Sequence, residues 1–330
     1  MNHACYREVD AKTHAELGAK LGELFGDRAR ENVDYACRQR HWGRKVDASL
    51  PLLECAQRRF PHYVEELQAY ARAARVALND LWAVSLEDEL DDSRKEKCTT
   101  VVTNGGKLMS HNEDWDEDSD EEICLLEKTC AGLTILEIYY YAVPLGGSAL
   151  SINSNGYIQA INSLTHADGQ VGVPKSVIGR WMSETRDVRA DFAQLKGMAR
   201  SSGYNHVLVH RQHGVLDIEC TAARQVLLEP PLPFAHTNHL LSPELKELDN
   251  AEAGEGTFER YESACQLMKP AMTVAELAAL TSDASRGRKR SINNRETIGR
   301  VVIDLESRIA KVWLRREQEL GWIDYPLDFL

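Results

Sequence analysis

The sequence predicts an α+β protein with a helical first third and a β-rich body. In residues 1–92, apolar side chains recur at three- and four-residue steps, as in an amphipathic helix. After Cys98, runs of β-branched and aromatic residues alternate with turn signals, as in successive strands. Because helices and strands are segregated along the chain, a layered α+β fold is favoured over alternating βαβ units.

The helical third is predicted from two stretches of regular spacing. Leu17, Leu21 and Leu24 share one helix face, and residues 63–76 repeat the same spacing. Asn79 and Asp80 are predicted to cap a short helix over residues 81–86, since both residue types favour N-caps. The charged segment 87–97 is predicted to be an exposed linker.

The β-rich body is predicted from runs of strand-forming residues. The predicted strands cover residues 99–103, 107–111, 132–141, 148–152, 156–161, 206–210, 215–220, 225–228, 297–305 and 308–314. Helices are predicted near residues 188–199, 258–268 and 274–280. No internal repeat, dinucleotide fingerprint or P-loop is recognised.

Composition and charge exclude several classes of protein. The 330 residues are 43% hydrophobic and 27% charged, close to the ~45–50% and ~25% of ordinary soluble domains. The formal net charge of −12 disfavours binding to nucleic acid or to an anionic membrane. The eight cysteines form no Cys-x-x-Cys pair, and residues 1–10 lack the apolar core of a signal peptide. We therefore expect a cytoplasmic protein with reduced thiols, and neither a cofactor nor a metal.

One cysteine opens a predicted hairpin. Asn104-Gly105-Gly106 is a tight-turn signal, and pairing about this turn joins positions whose numbers sum to about 209 or 210. Cys98 is then expected opposite His111 or Asn112, with Asp114 just past the return strand. A thiol needs such neighbours to act as a nucleophile, although position alone favours an ordinary buried cysteine.

Several blocks along the chain resemble one enzyme family. The segments Cys98-Thr99-Thr100 and His111-Asn112-Glu113-Asp114-Trp115 resemble the acyl-coenzyme A:6-aminopenicillanate acyltransferase family of N-terminal nucleophile (Ntn) hydrolases. Residues 151–157, residues 161–164, the block from His236 to Leu240, and Arg260 continue the resemblance in the same order. Within the family, the sequence is most similar to hydrolases of β-alanyl-dopamine and carcinine.

The resemblance implies a fold, a maturation step and a set of site residues. It implies a four-layer αββα fold and self-cleavage between Lys97 and Cys98. The products would be an α chain of residues 1–97 and a β chain of residues 98–330, which remain together as a heterodimer. The new α-amino group of Cys98 would be the general base, since its reference pKa of ~7.7–8.0 lies near that of a thiol. Asp114 would orient this amino group and Asn238 would bind the oxyanion, while Asn162, Tyr157 and Arg260 would line the pocket for a small amide substrate.

Some features leave alternatives open. His111, His236 or His239 could serve as base in a conventional Cys/His dyad. The family usually has glycine before the nucleophile, and Lys97 at that position puts efficient cleavage in doubt, since glycine eases the strained geometry of the acyl shift. The acyl group could also pass from an acyl-CoA to an amine, or an uncleaved chain could act only as a binding protein.

Two segments of the chain are rich in charge of one sign. The acidic run 113–122 is predicted to be a solvated loop, or an acidic rim that attracts a cationic substrate. It lacks the glycine of a calcium-binding loop. The basic cluster 286–290 is predicted to be a solvated loop.

Overall fold

The computed structural model describes residues 2–90, 97–249 and 256–330. In this part of the chain the helices are α1 (His14–Cys37), α2 (Trp42–Arg59), α3 (Pro61–Ala74), α4 (Leu78–Val84), α5 (Glu87–Leu90), α6 (Lys175–Ser183), α7 (Val188–Leu195), α8 (Thr257–Leu267) and α9 (Val274–Leu280). The strands are β1 (Arg7–Ala11), β2 (Lys97–Thr103), β3 (Leu108–Asp114), β4 (Ile123–Cys130), β5 (Leu133–Tyr140), β6 (Leu150–Asn153), β7 (Tyr157–Ser163), β8 (Tyr204–His210), β9 (Gly214–Cys220), β10 (Gln225–Leu228), β11 (Phe234–His236), β12 (Thr297–Asp304), β13 (Ile309–Leu314) and β14 (Ile323–Pro326).

The strands form an eight-stranded and a six-stranded sheet that pack face to face. The larger has the order β1-β4-β5-β6-β7-β8-β9-β10 and the smaller β11-β2-β3-β12-β13-β14. Ile138 of β5 packs toward the smaller sheet at Gly299, whereas its neighbour Tyr139 stacks on Phe25 of α1 with ring centroids 5.3 Å apart. Helices α1, α3 and α6 cover the outer face of the larger sheet, and α8 and α9 cover that of the smaller one. The predicted four-layer αββα architecture is confirmed.

The hairpin that begins at Cys98 differs in register from the prediction. Its connection spans four residues from Asn104 to Lys107, because Thr103 pairs with Leu108. Asn104, Gly105 and Gly106 all have positive φ angles, which two glycines make accessible. Cys98 therefore lies opposite Glu113, so the prediction of His111 or Asn112 was wrong. Asp114 is the last residue of β3, not the residue after it.

The structure also differs from the prediction in the helical first third of the chain. Residues Arg7–Ala11 form an edge strand, β1, parallel to β4; it is short and mostly exposed, so it lacks an apolar pattern. Helix α4 begins at Leu78 after an N-cap at Ala77, so Asn79 and Asp80 lie inside the helix and do not cap it. The expected linker begins with the short helix α5, whose Glu89 accepts a hydrogen bond from Ser202 at 2.6 Å. Residues 91–96 of that linker lie outside the described residues.

The β-rich body follows the predicted order with several additions. Strands β4, β11 and β14 and helix α6 were not predicted. Strand β4 was missed because it contains a charged residue, Lys128, which is buried in an ion pair with Glu137 of β5. The described residues contain no helix long and apolar enough to cross a membrane.

Helices α1 and α3 pack closely along a row of glycines. Gly18, Gly22 and Gly26 recur every four residues on the buried face of α1. A Cβ added at Gly18 would lie 1.9 Å from the carbonyl oxygen of Glu66, and one at Gly22 would lie 2.4 Å from that of Tyr70. The glycines therefore set the distance between α1 and α3.

Replacing Gly18 by alanine should lower the free energy of unfolding by about 1–3 kcal/mol, because the two backbones must move apart. Gly43 of α2 provides the matched control, since a Cβ there meets nothing within 4 Å. Gly43→Ala should instead raise stability by about 0.5–1 kcal/mol through helix propensity. Chemical denaturation of both variants tests this; equal effects would contradict the close-packing account.

Candidate active site

Cys98 is buried between the two sheets, near the start of β2. Side chains alternate along a strand: Val102 belongs to the core between the sheets, and Val101 to the core beneath α8 and α9. Cys98 and Thr100 share the face of Val102, so the thiol points toward the larger sheet. The residue is 2% exposed.

The backbone of Cys98 is held at both its nitrogen and its oxygen. Its N–H donates to Oδ1 of Asn238 at 2.9 Å. Its carbonyl accepts a hydrogen bond from Nη1 of Arg260 at 2.6 Å. The other guanidinium nitrogen, Nη2, donates to the same Asn238 oxygen at 2.8 Å. We call this arrangement of Asn238 and Arg260 around Cys98 the backbone clamp.

The clamp residues are themselves fixed by the surrounding structure. Arg260 lies on α8, is fully buried and also donates to the hydroxyl of Thr99 at 2.9 Å. Asn238 follows β11, and its Nδ2 donates to the carbonyl of Ser163 at 3.0 Å. These contacts fix the orientation of the Asn238 amide, with its oxygen toward Cys98.

The thiol faces a pair of buried ionisable side chains. Cys98 Sγ lies 3.9 Å from Oε2 of Glu113, and that oxygen lies 2.8 Å from Nε2 of His111. The hydroxyl of Tyr140 donates to the second Glu113 oxygen at 2.6 Å. Glu113 is therefore held against the thiol from two sides.

Hydrogen bonds continue from this pair to the larger sheet. His111 Nδ1 lies 3.0 Å from the hydroxyl of Thr100, which donates to Oδ1 of Asn162 at 3.1 Å. Asn205 donates to the same oxygen at 3.4 Å. Asn162, predicted to line the substrate pocket, thus lies at the end of a chain of contacts that begins at the thiol.

Asp114 lies on the opposite face of the hairpin, toward α8 and the loop before β12. It is fully buried, and Asn294 Nδ2 donates to its Oδ2 at 2.6 Å. Burial raises the pKa of Asp114 to about 6, against the lowering effects of Arg260, Thr297 and Asn294. Lys97 is its cross-strand partner, so Asp114 lies beside the peptide bond that precedes Cys98. The side chain of Lys97 lies outside the described part.

The structure groups most, but not all, of the predicted site residues. Cys98, Asn238 and Arg260 are in direct contact, and Asp114 lies beside the same strand end. Tyr157 begins β7, five residues before Asn162, or roughly 16 Å away at ~3.3 Å per residue. There its hydroxyl lies 2.6 Å from Nδ1 of His213. The structure therefore places Tyr157 away from the other predicted site residues.

Among the residues of the site, Glu113 and Asn294 were given no role by the sequence analysis. A four-residue connection between β2 and β3 would have placed Glu113 opposite the thiol, so the correct turn length was the available signal. Asn294 reaches Asp114 from 180 positions along the chain, and nothing in its local sequence marks it.

Only one of the three candidate histidines approaches the thiol. His111 does so through Glu113. His236 lies 3.1 Å from Glu219; burial opposes its charged form, but Asp217 and Glu219 raise its pKa. His239 packs on Phe258, and burial lowers its pKa to about 4.

The described residues include two buried clusters of metal-binding side-chain types. One comprises Cys98, His111 and Glu113, and the other Asp217, Glu219 and His236. Two ligands ~2.1 Å from a tetrahedral zinc lie roughly 3.4 Å apart. The His–Glu separations of 2.8 and 3.1 Å are instead hydrogen-bond distances. We therefore assign both clusters to hydrogen bonding.

The acidic run does not match the predicted solvated loop along its whole length. Glu113 and Asp114 are buried at the end of β3. Further along, Glu117 pairs with Arg288 at 2.8 Å, and Glu121 pairs with Arg316 at 2.7 Å. Arginines thus offset part of the expected acidic rim, and the basic cluster takes part in these surface ion pairs.

Comparisons with known proteins identify the family. The profile of the acyl-coenzyme A:6-aminopenicillanic acid acyl-transferase family matches residues 101–319. The chain belongs to this family and is therefore related to enzymes that transfer an acyl group. None of the curated proteins compared matches the chain.

Solved structures show distant similarity. A penicillin V acylase from Agrobacterium tumefaciens is 10% identical, with a TM-score of 0.45 over 66% of this chain and 83% of that one. A mutant conjugated bile acid hydrolase from Clostridium perfringens is 11% identical, with a TM-score of 0.44 over 71% and 92%.

The raised pKa of Asp114 predicts a pH-dependent contribution to stability. Between its unfolded value of 3.8 and its folded value of about 6, the folded state binds the proton more tightly. The free energy of unfolding therefore falls as pH rises through this window. In a Cys98→Ala background, the free energy of unfolding of Asp114→Asn should rise by about 2 kcal/mol relative to its parent between pH 4 and pH 7.

Chemical denaturation at a series of pH values measures this gain. The control is Asp118→Asn, which changes an exposed carboxylate in the following loop. Its free energy of unfolding should differ from that of its parent by less than about 0.5 kcal/mol at every pH. A pH-independent difference for Asp114→Asn would show that Asp114 ionises normally.

Proposed function

We propose that this protein is a self-processing Ntn amide hydrolase whose nucleophile is the thiol of Cys98. The observation that carries the proposal is the backbone clamp, in which Asn238 and Arg260 hold the nitrogen and oxygen of one cysteine. An ordinary buried cysteine needs no such arrangement, whereas a terminal nucleophile must keep its amino group and thiol in fixed positions. Family membership supports the same chemistry.

In the proposed maturation, the Lys97–Cys98 bond breaks and leaves a heterodimer of residues 1–97 and 98–330. This bond lies inside β2, and the Cys98 nitrogen already donates to Asn238. After cleavage that nitrogen is an amine, and it still donates one hydrogen bond to Oδ1 of Asn238. Its lone pair can then accept the thiol proton, because the two reference pKa values are close. Asp114 and Arg260 supply the charges around the new terminus.

In the proposed hydrolysis, the thiolate attacks the substrate carbonyl and forms an acyl-thioester. The substrate's amine leaves with the proton that the α-amino group of Cys98 took from the thiol. The amide Nδ2 of Asn238 has two hydrogens; one is donated to Ser163, and the other is suited to the oxyanion. One such donor contributes ~2.7–4 kcal/mol to the transition state of acyl transfer. Water then attacks the thioester, with the α-amino group of Cys98 again acting as base.

The proposed substrates are small amides of the β-alanyl type. This choice rests on a resemblance to hydrolases of such amides, which is carried by Glu113-Asp114 and by the spacing from there to residues 153–156 and to Asn162-Ser163. The acidic residues near Glu117 offer only weak attraction to a cationic substrate, because arginines neutralise part of their charge. The cytoplasmic location remains a proposal supported by the eight unlinked thiols.

Intact mass provides the direct test of maturation. Wild-type protein should separate under denaturing conditions into fragments that end at Lys97 and begin at Cys98, whereas Cys98→Ala should remain a single 37.1 kDa chain. Cys265→Ala, which changes an exposed thiol, is the matched control and should cleave like the wild type. A single species in the wild type, or cleavage in the Cys98→Ala variant, would contradict the proposal.

An acyl-CoA-dependent acyltransferase is the second candidate, favoured by the name of the matching family. The two activities differ only in what attacks the thioester. With a β-alanyl amide as substrate, we expect release of free acid at a rate that neither acyl-CoA nor an added amine changes. Mass-spectrometric product analysis measures this; a transferred acyl group and no free acid would identify a transferase.

A further inference from the structure

Self-cleavage requires a proton acceptor that the mature enzyme does not need. In the uncut chain, the Cys98 nitrogen is a peptide nitrogen whose hydrogen is donated to Asn238. A peptide nitrogen has no basic lone pair, so it cannot accept the thiol proton. The first reaction of the chain must therefore use another base.

We propose that Glu113, backed by His111, is the base that activates the Cys98 thiol for self-cleavage. This inference rests on the proposed function and deepens it. Glu113 is the cross-strand partner of Cys98. Its Oε2 is the carboxylate oxygen 3.9 Å from Sγ, within reach of a sulfur hydrogen bond. The position is separate from that of Asp114, which faces α8 on the other side of the hairpin.

Hydrogen bonds define the roles of the two ring nitrogens of His111. Thr100 donates its single hydroxyl hydrogen to Asn162. It must therefore accept from His111, which places a hydrogen on Nδ1 of the imidazole. Nε2 and Glu113 Oε2, 2.8 Å apart, then share one further proton between them.

The same contacts keep Glu113 in place as it gains a proton. Tyr140 donates to Oε1, so the Oε2 atom remains directed at the thiol and at His111. When the thiol proton moves to Oε2, the shared proton stays on Nε2, so a thiolate and a neutral carboxyl form beside an imidazolium. The transfer creates no net charge in this buried cluster, which limits its cost.

Self-cleavage moves one proton from the thiol to the leaving nitrogen by way of Glu113. The thiol proton moves to Glu113, and Sγ attacks the carbonyl carbon of Lys97. Glu113 returns the proton to the Cys98 nitrogen as the C–N bond breaks, which gives a thioester and an α-amine. One water then hydrolyses the thioester, leaving the carboxylate of Lys97, the thiol of Cys98 and one proton that is released to solvent. From that point the amine can serve as base.

The test follows self-cleavage of the full chain after cell-free synthesis, with the cut fraction measured by intact mass against time. Glu113→Gln should slow cleavage by about 10²–10⁴-fold, the range of general-base contributions. His111→Gln should also slow it, because the partner of Oε2 is lost. Thermal unfolding of each variant shows whether it is folded.

The matched control is Glu66→Gln. Glu66 is also buried and pairs with a histidine, His14, at 2.7 Å, but it lies in the helical layer outside the larger sheet. This variant should cleave at the wild-type rate. Cleavage of Glu113→Gln and His111→Gln within threefold of the wild type would overturn this inference alone. A wild-type chain that never cleaves would overturn it together with the proposed function.

Discussion

The buried guanidinium of Arg260 is the interaction on which the site depends. It joins the carbonyl of Cys98 and the hydroxyl of Thr99 to the amide oxygen of Asn238, which is distant from them in the sequence. Removing one partner of a buried charge typically costs about 3–5 kcal/mol. Burial lowers the pKa of Arg260, and the nearby Asp114 opposes that effect. The charge of Arg260 thus links the strand, the loop after β11 and the end of β3.

The alternation of side chains along β2 and β3 separates two kinds of chemistry. On the face between the sheets lie the thiol, Glu113 and His111, which can exchange a proton. On the other face lie Asp114, Thr99 and Arg260, whose charges and hydrogen bonds act on the backbone of Cys98. The backbone of Cys98 lies between the two faces. Under the proposed function, the chain would use the two sets in turn, first to cleave itself and then to hydrolyse other amides.

Much of the architecture followed from patterns of residue type. The strands from β5 to β9 and the helices α8 and α9 lie close to their predicted positions, because their apolar periodicity reflects burial on a sheet face or helix face. The predictions failed where burial and local pattern disagree. Edge strand β1 is polar and mostly exposed. In β4, the charge of Lys128 is typical of a surface residue, but the side chain is buried in an ion pair with Glu137 of β5.

The candidate site was only partly accessible from sequence. Family resemblance pointed to Asn238 and Arg260, but their meeting at Cys98 depends on how β11 and α8 pack against β2. An error of one residue in turn length moved Glu113 away from its true position opposite the thiol, since register decides which residues face each other. Asn294 could not be found at all, because a loop before β12 brings it to Asp114.

The central claim is that Cys98 becomes an amino-terminal residue with its thiol and amine side by side. 2-Cyanobenzothiazole condenses stably with a 1,2-aminothiol, a group that internal cysteines lack, so it distinguishes Cys98 from the other seven cysteines. Labelling of the denatured protein, followed by peptide mapping, should place one stable adduct on the peptide that begins at Cys98. A stable adduct at no position, with Cys98 recovered inside a peptide that still contains Lys97, would contradict the account.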